Sequence, residues 1–128
     1  MKLRRSDVDE FGAVSAQLTT MRNDFVVFAK TKPDNALNKF KIRAANELLH
    51  RANEILGNAK PLSAFTELFE EDLPSNSDLA VVLSQYIAAL ETWRSAHVTK
   101  SGYDWYWDVD GPTIDADAPT RPDSRSKE

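Results

Sequence analysis

Two stretches of the chain repeat large apolar side chains in alternating steps of three and four residues, the spacing of a single helix face. The two seams consist of Phe11, Val14, Leu18, Met21, Phe25 and Phe28, and of Leu79, Leu83, Tyr86, Leu90, Trp93 and His97. They predict one long helix over about residues 7–30 and another that begins near Asp78. Ser6 with Asp9 resembles a capping box for the first helix, and Ser75 or Ser77 is placed to cap the other. Both seams must be buried against other helices.

The chain between the seams predicts two further helices. Pro33 ends the first helix, and Asp34 is placed to cap a second one over about residues 35–56. The apolar positions of this second helix cover roughly half of its circumference, so it must contact two neighbours, or one neighbour and a partner. A shorter helix is expected after Pro61, carried by Leu62, Phe65, Leu68 and Phe69. The predicted fold is all-α, an up-and-down bundle of three long helices and one short helix over residues 1–102.

The sequence YDWYWDVD, residues 103–110, alternates apolar with polar side chains and therefore predicts a strand in a mostly helical chain. Trp105 and Trp107 share one face of it and are expected to be anchored, while Asp104 and Asp108 are expected to face water. Three arrangements remain open: a hairpin through Asp110-Gly111, extended packing across the chain's own helices, or addition to the sheet edge of a partner. Residues 103–115 are thus a separate aromatic segment, and residues 116–128 are expected to be disordered.

Composition and charge narrow the class of protein. The 128 residues contain no cysteine, which excludes disulfides and cysteine-based metal sites. Since neither a signal-peptide core nor a membrane-length apolar run is present, we expect a cytoplasmic protein. Residues 22–60 carry eight basic and four acidic side chains, whereas residues 61–128 carry five basic and thirteen acidic ones. Such a bipolar chain favours a protein partner or self-association, because the acidic half repels phosphates.

The patterns that resemble metal sites are incomplete. Glu47 and His50 have the E-x-x-H spacing of di-iron bundles, but no second copy of the motif follows. Five aspartates lie between residues 104 and 117, yet an EF-hand loop that starts at Asp104 or at Asp108 lacks the glycine required at its sixth position. We therefore expect no metal, no cofactor and no enzymatic activity.

Two modes of binding remain. We expect a non-enzymatic accessory or adaptor subunit that binds a larger protein partner, because Trp and Tyr often dominate the energy of interfaces. Phe40 is a further candidate for partner binding, because it lies at the edge of the second helix's apolar arc, where a bundle is least able to cover it. The candidate partner-binding residues are Tyr103, Trp105, Tyr106, Trp107 and Phe40.

The alternative is a nucleic-acid-binding module that uses the polar face of the second helix. Its candidate residues are Lys32, Lys39, Arg43 and His50, flanked by Asn46 and Asn53. Asparagine is a poor helix former, so two of them within one helix indicate that a contact compensates for their cost. Lysine, arginine and asparagine together can follow a phosphate backbone.

Overall fold

The computed structural model describes residues 2–62 and 65–120. The chain is mainly helical and carries a small three-stranded antiparallel sheet near its C-terminal end. Its helices are α1 (Arg5–Thr31), α2 (Lys39–Leu56) and α3 (Asn76–Ser95), and its strands are β1 (Val98–Ser101), β2 (Asp104–Trp107) and β3 (Asp115–Ala116). Within the described ranges, no helix combines the length and the apolar character that a bilayer crossing requires.

Helix α1 is antiparallel to both other helices. Near its start, Phe11 stacks on Trp93, close to the end of α3, and Glu10 pairs with Arg51, close to the end of α2. The contacts at the other end of α1 join Phe28 to Lys41 in the first turn of α2, and Lys32 to Asn76 at the start of α3. Helices α2 and α3 are therefore parallel to each other, which differs from the predicted up-and-down order.

Parallel packing of α2 and α3 requires the chain to travel back along the length of α2. The return segment (residues 65–75) does this, and the predicted short helix is not found in its described part: residues 65–69 are irregular, and only Glu70–Asp72 form a single 3-10 turn. Extended chain advances about 3.3 Å per residue, compared with about 1.5 Å in an α-helix. A short extended segment can therefore replace the fourth helix.

The two seams predicted from the sequence form half of the buried core. The buried members are Phe11, Val14, Leu18 and Phe25 on α1, and Leu79, Leu83, Tyr86 and Leu90 on α3. Helix α2 contributes Ile42, Ala45, Leu48, Leu49, Ala52 and Leu56, so its wide apolar arc does contact two neighbours. The last residue of the α1 seam is not buried with the others, since Phe28 remains 42% exposed.

Two helix starts differ from those predicted. Leu3 forms a bridge with Val109, and α1 begins two residues later, at Arg5. The carboxylate of Asp7, rather than that of Asp9, accepts the hydrogen bond from the N–H of Arg4. Helix α2 begins four residues later than expected, since residues 35–37 bond to the end of the return segment. Its cap is Asn38, whose side chain accepts from the N–H of Lys41. Ser75 caps α3 as predicted.

The sheet settles how the aromatic segment is arranged. β2 is the central strand, antiparallel to β1 before it and to β3 after it. β1 and β2 are joined by a two-residue turn at Gly102-Tyr103, which the sequence analysis missed. The return after Asp110-Gly111 does form, but it pairs only at Asp115–Ala116. Both edges of β2 are thus occupied within the chain.

The sheet closes the end of the molecule at which α1 starts and α3 ends. Trp107 packs edge-on to Phe11, with ring centroids 5.3 Å apart, and also lies beside Trp93. The buried guanidinium of Arg94 donates to the carbonyls of Asp117 and Ala118, both at 2.9 Å. The tail expected to be disordered from residue 116 therefore begins with an anchored stretch to residue 120, and residues 121–128 lie outside the described part.

Candidate protein-docking groove

An open apolar groove runs between α1 and α2, near the loop that joins them. Its volume is about 520 Å³. The large apolar side chains that line it are Met21, Phe25 and Phe28 from α1, and Phe40 and Leu48 from α2. Among the described residues, Phe40 is the most exposed phenylalanine, at 74%. Phe28, on the α1 wall of the groove, is 42% exposed. This is a concave surface with aromatic side chains on both walls.

The local sequence explains why these two rings stay uncovered. Phe40 occupies the first turn of α2, on the edge of an arc whose centre, at Ala45 and Leu49, is fully buried. The return segment covers the other side of α2, so it does not reach across Phe40. Phe28 lies near the end of α1 and packs edge-on to Phe25, with centroids 5.2 Å apart. Phe25 is buried while Phe28 remains exposed, and the groove stays open beside them.

Of the described residues, two charged ones line the groove, Asp24 of α1 and Lys41 of α2, and Lys41 lies over its aromatic wall. Its ammonium lies 5.2 Å from the centroid of the Phe28 ring and 5.7 Å from that of Phe25. These distances are within the range of a cation–π interaction. The ion pairs of residues 2–62 and 65–120 do not include Lys41, so its charge faces aromatic rings without a carboxylate. Phe40 was predicted from the sequence as a partner-binding residue, whereas Lys41, its neighbour in the chain, was not.

The basic face of α2 is arranged differently from the prediction for nucleic acid. Lys39, Arg43 and His50 do lie on one surface, but acidic side chains of the return segment line the same surface. His50 Nε2 is 2.8 Å from Glu67, and Lys39 is 4.0 Å from Glu70. Lys32, the remaining candidate, lies apart from them at the end of α1. A phosphate backbone on this surface would meet carboxylates as well as cations.

The two asparagines of α2 bind the backbone of the return segment. The amide of Asn46 donates to the carbonyl of Leu68 at 2.9 Å and accepts from its N–H at 2.8 Å. Asn53, seven residues later on the same helix face, accepts from the hydroxyl of Tyr86 at 2.7 Å and donates to the carbonyl of Thr66 at 3.4 Å. These intramolecular contacts compensate for the low helix propensity of the two asparagines.

The aromatic segment divides into buried and exposed side chains. Trp107 packs against the core, Trp105 and Tyr106 are half-buried in the central strand, and Tyr103 is 97% exposed at the turn. Asp104 is exposed as expected, whereas Asp108 is half-buried and accepts a hydrogen bond from the hydroxyl of Thr99. Of the predicted partner-binding residues, Phe40 and Tyr103 are thus the two that remain freely accessible, and they lie at opposite ends of the molecule.

The groups with shifted pKa values are tied to structural contacts. Hydrogen bonds from Arg94 are the largest cause that holds the pKa of Glu91 below its ordinary value. Burial raises the pKa of Tyr86, partly offset by its hydrogen bond to Asn53. Among the described residues, no three His, Asp or Glu side chains are grouped so that they could hold a metal ion. The hydrogen bonds of Glu91 and Tyr86 stabilise the fold.

Comparison of the chain with protein-family models, with curated proteins and with solved structures finds no match. The assignment of function therefore depends on the geometry of the chain's own surfaces.

Proposed function

We propose that this protein is a non-enzymatic helical adaptor that binds a larger protein partner in a cytoplasmic complex, and that it does so through the α1–α2 groove. The observation that carries the proposal is the exposure of Phe40, at 74%, on the wall of an open apolar groove of about 520 Å³. Docking of a partner would regulate that partner or assemble it with others.

The shape and chemistry of the groove support this proposal. Exposed apolar surface that is gathered into a patch is characteristic of interaction sites, whereas single exposed apolar residues are not. Phe28 and Phe40 face each other across a concavity floored by Met21 and Phe25. A groove between two helices is a recurrent receptor for the apolar face of a third helix. Large aromatic side chains at the centre of an interface usually contribute most of the binding energy.

The remaining chemistry of the chain also favours binding over catalysis. Both histidines make contacts within the fold: His50 with Glu67, and His97 Nδ1 with the carbonyl of Trp93 at 2.7 Å. Arg94 and Glu91 pair with each other and fix the chain near residue 118. The polar groups with the strongest interactions thus stabilise the structure, and the apolar groove is the feature whose exposure the fold does not require.

A capture experiment with two matched variants tests the proposal. Phe40→Asp places a charge in the groove at an exposed position, and Val81→Asp makes the same kind of change on α3, where Val81 is 57% exposed and outside the groove. Both variants should melt like the wild type, because substitutions at exposed sites seldom change stability by more than about 0.5 kcal/mol. Proteins captured from the native lysate by the wild type and by Val81→Asp should be lost from Phe40→Asp.

Nuclease treatment of the same lysate separates the two modes of binding. Capture that persists after treatment and depends on Phe40 supports the adaptor. Capture that disappears with the nucleic acid, and that is insensitive to Phe40→Asp, would instead favour the nucleic-acid module and would overturn the proposal.

A further inference from the structure

The charge around the groove specifies what kind of helix it accepts, if the groove is the docking site proposed above. We infer that the partner presents an acidic amphipathic helix, whose apolar face fills the groove and whose flanking carboxylate pairs with Lys41. This inference rests on the proposed function and adds to it the chemistry of the ligand.

The first argument is the state of Lys41 itself. The side chain is half-buried, and its ammonium lies over two aromatic rings. Among the described residues it forms no ion pair. A cation on an apolar wall loses part of its hydration when a ligand covers it, so a neutral ligand would bury an unpaired charge. A ligand carboxylate beside the apolar anchors removes that cost and gains a charge-assisted hydrogen bond.

The second argument is the sign of the surrounding charge. Residues 30–43, which include the end of α1, the connecting loop and the start of α2, carry five basic side chains and one acidic side chain. Two of the five, Lys39 and Arg43, lie on the surface that α2 shares with the return segment, so Lys30, Lys32 and Lys41 are the ones that can act near the groove. The first turn of α2 contains no acidic residue, so the positive end of its helix dipole is not offset there. This end of the groove therefore attracts an acidic ligand and raises its rate of association.

The third argument concerns which flank of the ligand helix carries the acidic residues. Asp24 lines the α1 side of the groove, whereas Lys41 belongs to α2. A ligand carboxylate near Asp24 would be repelled, and one that faces α2 would be attracted. The expected ligand therefore has a charge asymmetry, with Asp or Glu along the flank that faces α2 and none required on the opposite flank.

A displayed library of amphipathic helices tests this without knowledge of the natural partner. The library holds helices of about 14 residues with a fixed apolar stripe and randomised positions on both flanks, selected on the immobilised full chain. Clones that also bind Phe40→Asp are discarded, so that the remaining clones report on the groove. We expect Asp and Glu to be enriched on one flank of these clones.

Variants of Lys41 then identify the group that the acid meets. For an enriched peptide, Lys41→Met keeps the length and apolar character of the side chain and should weaken binding about tenfold at low salt, while Lys41→Arg should restore it. Replacing the peptide's flanking acids with Gln should cost about the same factor on the wild type and nothing further on Lys41→Met.

The outcomes separate the inference from the proposed function. Clones that depend on Phe40 but show no acidic enrichment, or whose affinity ignores Lys41→Met, would overturn the acidic ligand while leaving the groove as a docking site. Failure to obtain any clone that depends on Phe40 would overturn both. Acidic enrichment, together with a peptide affinity that falls on Lys41→Met and is kept on Lys41→Arg, supports the inference.

Discussion

Asn46 holds the backbone of Leu68 with both ends of its side-chain amide, donating to its carbonyl and accepting from its N–H. In this way one side chain gives an extended segment the pair of hydrogen bonds that a neighbouring strand would otherwise supply. Leu68 is buried, so the side chain that this contact positions belongs to the core. The packing of the return segment against α2 therefore depends on a residue that is 22 positions earlier in the chain.

Replacement of Asn46 by Ala should destabilise the fold by about 2 kcal/mol, because it leaves a partly buried N–H and carbonyl without partners. Alanine is the better helix former, and this gain opposes part of the loss. Asn23→Ala, at an exposed position of α1, provides the same gain without the loss and should be neutral or slightly stabilising. Urea unfolding of both variants measures the difference, and equal midpoints would show that the contact with Leu68 contributes nothing.

Trp107→Ala should lower the free energy of unfolding by about 3 kcal/mol, the low end for loss of a packed aromatic side chain, because Trp107 is only half-buried. For a domain of this size the melting temperature should fall by roughly 10 °C. Tyr103→Ala, in the adjoining turn, removes a side chain that is 97% exposed and should leave the melting temperature unchanged. Similar losses for both variants in calorimetry would contradict the view that the sheet is held through Trp107.

The Glu91–Arg94 pair should make stability depend on pH in the acid range. The pKa of Glu91 is lowered in the folded protein from 4.5, chiefly by its hydrogen bonds from Arg94. A carboxyl group with a lowered pKa stabilises the fold above its ordinary pKa, and this contribution is lost as the pH falls through the folded-state value. Glu91→Gln should therefore be less stable than the wild type at neutral pH, and the gap should narrow below about pH 4.5.

Melting curves recorded between about pH 7 and about pH 3 measure this gap. Glu71→Gln serves as a matched control, because Glu71 is exposed and forms no ion pair among the described residues. A gap that stays constant across the range for Glu91→Gln would show that the charge of this carboxylate does not contribute.

Gly102→Ala should cost about 1 kcal/mol, since Gly102 is the first residue of the two-residue turn between β1 and β2 and has a φ of +66°. The added methyl group meets no neighbouring atom within 4 Å, so the cost comes from the backbone conformation alone. Gly12→Ala, also free of neighbours but within α1, should instead stabilise the protein. Chemical denaturation of the pair should shift in opposite directions.

The helices were predictable because the apolar spacing that indicates each helix lies within one continuous segment of the sequence. Each seam repeats over about five turns, and its central residues are buried or, as with Met21, half-buried against the core. The predicted fourth helix failed for the opposite reason. The spacing of Phe65 and Leu68 fits a helix, but the backbone at Leu68 is bound by Asn46 from a distant part of the chain. Periodicity within one segment does not reveal such a contact.

The sheet was predicted only in part, because the strands that pair with β2 are short or are separated from it in the sequence. The alternation around Trp105 correctly indicated a strand, but β1 has four residues, three of them exposed and polar, and carries no strand signal of its own. For the groove, the sequence indicated Phe40 through its place on the helix wheel. It did not indicate that Phe28 and Lys41 would lie beside it, because that depends on how α1 and α2 pack.

The contact between Phe11 and Trp107 has a consequence for the order in which the fold forms during synthesis of the chain. Both walls of the groove have been made once α2 leaves the ribosome, since every residue that lines it precedes Leu49. Phe11 is covered only after Trp107, far later in the chain, has been made. A nascent chain thus exposes the aromatic surface around Phe11 until the residues of the sheet have been synthesised, so this end of the molecule is at risk of aggregation during that interval.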